Sequence, residues 1–242
     1  MIQYQFCSHL RTISETKADI HKKAIYNACP TCAGKDMAQC DKCMLKAKVI
    51  DRYVQSNIPV DFWELDMKRN FKGHSRLMRA YNDISGSFDE YYKSGSSLLL
   101  VGNHGVGKTF FGTSVLKLAA LRGLGALYVT LSDIVNVLIY GDSSTKFDAR
   151  RELMMVSFLV IDEFDSRFVG TEAAAELFGR VLESIIRIRF QNQMPTILIS
   201  NNSDPTKVLG ESLGASISSL IAGYCIKIPV VGEDYRETKG AK

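Results

Sequence analysis

"GNHGVGKT" (Gly102–Thr109) is the stretch on which the fold turns. It matches the spacing G-x-x-x-x-G-K-[ST] of a phosphate-binding loop. The glycines let successive backbone N–H groups curl around the β- and γ-phosphates of a nucleotide. The N-terminus of a following helix adds a favourable dipole there. Lys108 supplies the neutralising charge, and the Thr109 hydroxyl is suited to ligate Mg²⁺. The candidate nucleotide-binding residues are therefore Gly102, Asn103, His104, Gly105, Val106, Gly107, Lys108, Thr109 and Phe110.

The flanking sequence agrees. "SLLLV" (97–101) is a continuous apolar run, the mark of a strand buried on both faces, and "KTFFGTSVLKLAALRG" reads as a helix closed by Gly123. Further apolar runs, "GALYVT", "FLVID", "TILIS" and "YCIKIPV", alternate with helical stretches such as "TEAAAELFGRVLESIIRIRF". Such alternation predicts an α/β fold, a five-stranded parallel sheet with helices on both faces. Asp162 closes the "FLVID" strand and Glu163 follows it, at the end where such sheets bind ligands. Asp162 is the candidate for the Mg²⁺ shell, and Glu163 for the base that deprotonates an attacking water. Asn201, just after "TILIS", can help position that water; an asparagine there also serves as an ordinary turn former.

Ahead of this core, "CPTCAGKDMAQCDKC" places Cys29, Cys32, Cys40 and Cys43 in two C-x-x-C pairs. In a reducing compartment such pairs are read as metal ligands before disulfides, and four thiolates suit a closed, tetrahedral Zn²⁺ site. A redox pair is the competing reading. Residues 1–50 hold eight Lys/Arg against four Asp/Glu, so the whole net charge of +4 lies there. Residues 1–28 read as a helix with Ile13, Ala18, Ile20, Ala24 and Ile25 on one face, and 67–93 as a charged helical region. No stretch approaches the roughly 18–20 apolar residues of a membrane span, and the N-terminus lacks the pattern of a secretory signal. The expectation is a cytoplasmic protein.

Together, "CPTC", "CDKC", "RYVQSNIP", "GNHGVGKTFF", "LYVTLSDIV", "LVIDEF", "PTILISN" and "GEDYR" resemble the DnaC/DnaI family, the AAA+ helicase loaders of bacteria and phages. The resemblance runs from about residue 29 to 236. It implies a zinc-binding N-terminal module that grips the helicase (1–50), a junction and charged helix (51–95) and an AAA+ ATPase core (96–242) without a helical lid, since only six residues follow Arg236. It implies ATP, Mg²⁺ and Zn²⁺ as cofactors. Its partners would be a hexameric replicative helicase, single-stranded DNA and, in an ATP-dependent assembly, further copies of the chain. Lys108 and Thr109 fall on the Walker A motif, Asp162 and Glu163 on Walker B, Asn201 on sensor 1 and Arg236 on a late arginine equivalent to sensor 2.

By the same resemblance, residues 131–151 cover the DNA-touching element, with a helix capped by Ser132 or Asp133 and with Lys146, Arg150 and Arg151 as phosphate contacts. The bland reading of that stretch is an amphipathic helix with a solvated loop. Phe62 and Trp63 are placed either near the adenine or in the core.

One departure stands out. No arginine occurs between Phe190 and Tyr235, and Ser219 and Leu220 stand where the family carries the finger that reaches a neighbour's ATP. Weak self-activation, substitution by Arg187 or Arg189, or an arginine from the helicase are the three ways to accommodate this. Two alternatives to a loader are an IstB-like transposition ATPase and an ATP-binding adaptor with little turnover.

Overall fold

The computed structural model describes residues 10–11, 15–32, 40–164, 172–202 and 211–235. Five strands form one sheet: β1 (Ser97–Gly102), β2 (Ala126–Thr130), β3 (Phe158–Asp162), β4 (Thr196–Ser200) and β5 (Cys225–Val230). Their order is β2-β3-β4-β1-β5, and every pairing is parallel. The apolar runs split by strand periodicity into two cores. Leu99, Val101, Leu127, Val129, Leu159, Ile161 and Leu198 face one side. Leu98, Leu100, Tyr128, Phe158, Val160, Ile197 and Ile199 face the other. A sheet covered on both faces explains why these strands read as unbroken apolar runs.

α6 (Lys108–Leu121) follows β1 and packs on the second face. Gly112 sits where that helix crosses the sheet, and a Cβ there would lie 2.8 Å from Ile199 Cδ1. α9 (Glu172–Gln191) packs on the other face through Phe178, Leu182, Ile185, Ile186 and Phe190. A further helix, α10 (Glu211–Tyr224), precedes β5 and carries Ser219 and Leu220. The alternation of apolar runs does not announce it.

The N-terminal helices differ from their expected outlines. α1 spans Glu15–Asn27 rather than 1–28, and Ile13 lies outside the described residues. Ala18 is buried and Ile25 half-buried, but Ala24 is exposed and Ile20 is 61% exposed, so the apolar face is narrower than the spacing suggests. α2 (Asp41–Gln55) packs against α1. The charged stretch 67–93 is three helices, α3 (Met67–Asn70), α4 (Ser75–Gly86) and α5 (Phe88–Ser94). Asp66 caps α3, and the His74 ring accepts from Arg76 N–H at the start of α4. The region after β2 is α7 (Leu131–Val135), one π-helical turn (Asn136–Tyr140), and α8 (Ser143–Met155). Thr130, not Ser132 or Asp133, caps α7. Asp133 is the N3 partner of a capping box, and its carboxylate accepts from Thr130 N–H at 2.9 Å.

Trp63 is a core residue, 5% exposed, with its indole N–H donating to Ile58 O at 2.7 Å. Arg189 is fully buried on α9. It donates to Thr196 Oγ1 (2.8 Å), Leu153 O (2.9 Å), Val156 O (2.7 Å) and Pro195 O (3.0 Å). Arg189 is thus a strut between α8, β4 and α9, and cannot reach a neighbouring molecule.

Replacing it removes its bonds to the Leu153 and Val156 carbonyls and one of the two bonds that Pro195 O accepts. Arg189→Met is expected to lower stability by about 3 kcal/mol in urea unfolding. A loss under about 1 kcal/mol would mean the carbonyls do not depend on it.

Candidate functional site

The loop 102–107 leaves the C-terminal end of β1, which the sheet order places between β4 and β5. Gly102 has φ 146°, and a Cβ on it would stand 1.7 Å from Val230 O, so this exit accepts only glycine. Gly107, with φ 97°, is the N-cap of α6. The Lys108 ammonium folds back over the loop, donating to Gly102 O (2.8 Å) and Asn103 O (2.6 Å). An arriving phosphate would have to draw it off these carbonyls. Asn103 and His104 are exposed, Val106 is buried, and Gly105, Thr109 and Phe110 are half-buried.

Asp162 comes to the same place from β3. Its Oδ2 accepts from Thr109 Oγ1 (2.7 Å) and from the Tyr128 hydroxyl (2.9 Å), and its Oδ1 from Glu163 N–H (2.7 Å). The carboxylate is 5% exposed, and none of the ion pairs among the described residues includes it. A buried carboxylate beside a threonine hydroxyl, with no cation of its own, is the donor set a hard divalent cation takes. Burial, then the Asp162 charge, pushes the Tyr128 hydroxyl well above the ordinary tyrosine range, so it stays a proton donor.

Glu163 is exposed and sits at φ 52°, a left-handed conformation that costs a non-glycine residue about 1–3 kcal/mol. Directly after it, Phe164 N–H donates to Ile199 O on β4 at 2.7 Å. Asn201 lies just beyond the end of β4, between β3 and β1 in the sheet order. The chain after β5 returns to the loop, where Tyr235 N–H donates to Gly105 O (3.2 Å) and a Cβ on Gly105 would meet the Asp234 carboxylate. Arg236 lies outside the described residues.

Tyr128 is the residue that motif spacing misses. Its role depends on the pairing of β2 with β3, which sets Tyr128 opposite Val160 and so two positions from Asp162 on the same face. Phe62 packs tilted on Phe110 at 6.0 Å, and Phe71 edge-on to Phe110 at 5.4 Å. An aromatic group therefore does sit beside the loop, but it is built from Phe62 and Phe71, with Trp63 turned into the core.

Lys146, Arg150 and Arg151 lie together on α8. Lys146 and Arg150 line a cavity of about 230 Å³ with Leu138, Ile139, Phe178 and Val181. Phe147 is 67% exposed, and three- and four-residue helical spacing puts it beside Arg150 and Arg151; Tyr140, on the preceding π turn, is 75% exposed. Exposed aromatics among cations can stack on unpaired bases, a feature that the charges alone do not reveal.

The four cysteines converge at the junction of α1 and α2. Their sulfurs all lie within 4.8 Å of one another, with Cys29–Cys40 at 3.9 Å and Cys32–Cys43 at 3.5 Å. Tetrahedral thiolates at a Zn–S distance of about 2.3 Å stand about 3.8 Å apart, so the cluster fits that ion. Hydrogen bonds from the backbone of Cys32 and Thr31 pull the Cys29 thiol down to about 6, while burial pushes that of Cys43 up.

Of the arginines considered for a finger, Arg187 donates to Glu183 Oε1 at 2.6 Å and Arg189 is entombed. Ser219 is exposed on α10 and carries no charge.

Residues 79–242 match the family model for IstB-like ATP binding proteins. Among curated proteins, the chain is 28% identical over 144 residues to an insertion sequence IS5376 putative ATP-binding protein of Geobacillus stearothermophilus, covering 58% of this chain and 55% of that one. It is 24% identical over 169 residues to the replicative helicase loader DnaC of Escherichia coli K12, covering 65% of this chain and 67% of DnaC. The crystal structure of DnaI superposes with a TM-score of 0.58 at 20% identity, over 71% of this chain and 94% of that one. The fold is therefore that of an AAA+ P-loop ATPase.

The purified chain is expected to carry one zinc ion per molecule, read by metal analysis. A double Cys40→Ser/Cys43→Ser variant should lose it, together with the protease resistance of the segment 15–55, and retain nucleotide binding. Full metal content in that variant would rule out the four-thiol site.

Proposed function

The chain belongs to the family of IstB-like ATP-binding proteins, and on that footing we propose that it is an ATP-driven loader that places a replicative DNA helicase on single-stranded DNA. The observation that carries the reading is the four-thiol helix pair joined to the ATPase sheet. It supplies a docking module distinct from the nucleotide site. The likeness to the loader DnaC supports it.

In this reading the loop 102–109 wraps the phosphates and the Lys108 ammonium moves from the Gly102 and Asn103 carbonyls to the γ-phosphate. The Thr109 hydroxyl and the Asp162 carboxylate would hold Mg²⁺, which would supply charge neutralisation for the phosphates. Glu163 takes a proton from the attacking water, and Asn201 orients that water. Turnover by the isolated chain is slow, because Arg187 is paired, Arg189 is buried and α10 offers Ser219 at the finger position. Arg236, which lies outside the described residues, is assigned to the nucleotide by its position in the motif alone. Single-stranded DNA lies across α8, where Lys146, Arg150 and Arg151 meet phosphates and Phe147 and Tyr140 stack on bases. The helicase docks on the helix pair, which exposes Ile20 (61%), Met44 (37%) and Leu45 (67%).

Three measurements test these assignments. Glu163→Gln should bind ATP as the native chain does and lose at least tenfold in hydrolysis; unchanged turnover would remove Glu163 as the base. With purified hexameric replicative helicase, Leu45→Asp should abolish complex formation on gel filtration and leave ATP affinity intact. Reversing Lys146, Arg150 and Arg151 should weaken oligo(dT) binding by about tenfold or more without touching the helicase complex. A chain that ignores helicase and binds a transposase would instead be an IstB-like transposition ATPase.

A further inference from the structure

The Asp162 carboxylate is held by three donors, and only two of them belong to the motifs that mark the site. The third, the Tyr128 hydroxyl, comes from the buried strand β2 and shares Oδ2 with Thr109 Oγ1. The two hydroxyls differ in what they can afterwards do. Thr109 ligates a cation through an oxygen lone pair while its O–H goes on donating to Oδ2, so its position is then shared between the ion and the carboxylate. Tyr128 has no such second task. Its ring is 7% exposed and packed in the core, and its backbone is pinned on both sides. Its N–H donates to Ser56 O at 2.9 Å, and its carbonyl accepts from Asn57 Nδ2 at 2.9 Å.

We infer that Tyr128 is a positioning residue for the divalent cation: its hydroxyl fixes the Asp162 carboxylate in the rotamer that Mg²⁺ requires, independently of where the ion draws Thr109. The inference rests on the proposed nucleotide-and-Mg²⁺ reading of the same site. Without the Tyr128 hydroxyl, Oδ2 has only Thr109 as partner, and the carboxylate gains by following that hydroxyl rather than facing a cation. Outer partners of metal ligands typically contribute ten- to a hundredfold to affinity (about that range). The backbone contacts add a second consequence. Ser56 and Asn57 directly follow α2, the helix that carries Cys43. The strand residue that orients Asp162 is therefore also the one to which the end of the metal-bearing helix is bonded.

The test is a Mg²⁺ titration of the affinity for a fluorescent ATP analogue, with EDTA as the baseline, on the full chain. It compares native protein, Tyr128→Phe and Tyr91→Phe. The Tyr91 hydroxyl is buried with no hydrogen-bond partner, so the same atom is removed from the core without touching Asp162. Tyr128→Phe is expected to raise the Mg²⁺ concentration at half-effect by about tenfold, with the EDTA baseline unchanged and Tyr91→Phe like native. An unshifted Mg²⁺ midpoint in Tyr128→Phe overturns the inference. So does an equal loss of affinity in EDTA, which would make the hydroxyl a support for the loop rather than for the cation. If native protein itself shows no Mg²⁺ dependence, the reading of Thr109 and Asp162 as a cation site falls first and takes this inference with it. As a second readout, Asn57→Ala leaves the hydroxyl in place but frees the Tyr128 carbonyl, and should shift the Mg²⁺ midpoint less than Tyr128→Phe does.

Discussion

The hydrogen bond from Thr109 Oγ1 to Asp162 Oδ2, 2.7 Å long, spans the sheet. Thr109 opens the helix after β1, Asp162 ends β3, and β4 lies between those strands. For the two to meet, the first turn of α6 must pass over β4 at close range. Gly112 makes that crossing possible, because a Cβ there would press Ile199 on β4 at 2.8 Å. Gly102 makes the sharp exit from β1 possible, because Val230 O stands where its Cβ would be. The contact between a hydroxyl and a carboxylate thus depends on two positions without side chains, each set by a strand that is remote in sequence. The buried Asp162 charge is stabilised by Thr109, Tyr128 and its own neighbour's N–H, as a buried ion must be.

The N-terminal part is bound to the core by buried polar groups, not only by apolar packing. Leu10 is fully buried in the α9-side core and its carbonyl accepts from Asn57 Nδ2 at 3.1 Å. Arg11 donates to Gln55 O and forms a bidentate pair with Glu152 on α8. Lys117, on α6, donates to the carbonyls of Phe62, Trp63 and Leu65, and burial draws its pKa down to about 8. Each bond contributes little net stability, but each is costly to break because it leaves a buried group unpaired. Such contacts define one arrangement of the segment 55–66 against the sheet, and that segment links the helix pair to the ATPase.

How much of this was legible in the sequence follows from the range of the interactions. The loop 102–109, the five strands and the position of Asp162 and Glu163 are visible because each follows from local requirements: a backbone that must wrap phosphates, or a strand that must be apolar on both faces. The cysteine cluster is visible because its ligands sit in two short pairs. Tyr128, Arg189 and Lys117 are not visible. A tyrosine in an apolar run reads as core, and an arginine or lysine on a helix reads as surface; only the strand pairing and the carbonyls of distant segments give them partners. The cap of α7 was misplaced by two or three residues because Thr130 belongs at once to the end of β2 and the start of the helix. The exposed Phe147 escapes attention because one aromatic among charges has no period of its own.

The arginines carry the last step. A trans-acting finger must be exposed, charged and close to the rim of the nucleotide site. On α9, Arg189 fails the first condition and Arg187 is already paired with Glu183, whose carboxylate also accepts from Ser216 on α10 at 2.8 Å. That shared carboxylate ties α9 to α10, so freeing Arg187 would break a contact between two helices as well as an ion pair. The helix where a finger is expected presents Ser219 instead. A finger can contribute about 10³–10⁵ in rate, and none of Arg187, Arg189 and Ser219 is placed to supply one. Ser56 and Asn57, which directly follow α2, both bond to Tyr128 and so join the end of the helix pair to the strand residue that holds Asp162. That connection reaches the Asp162 carboxylate through one strand residue, by hydrogen bonds alone.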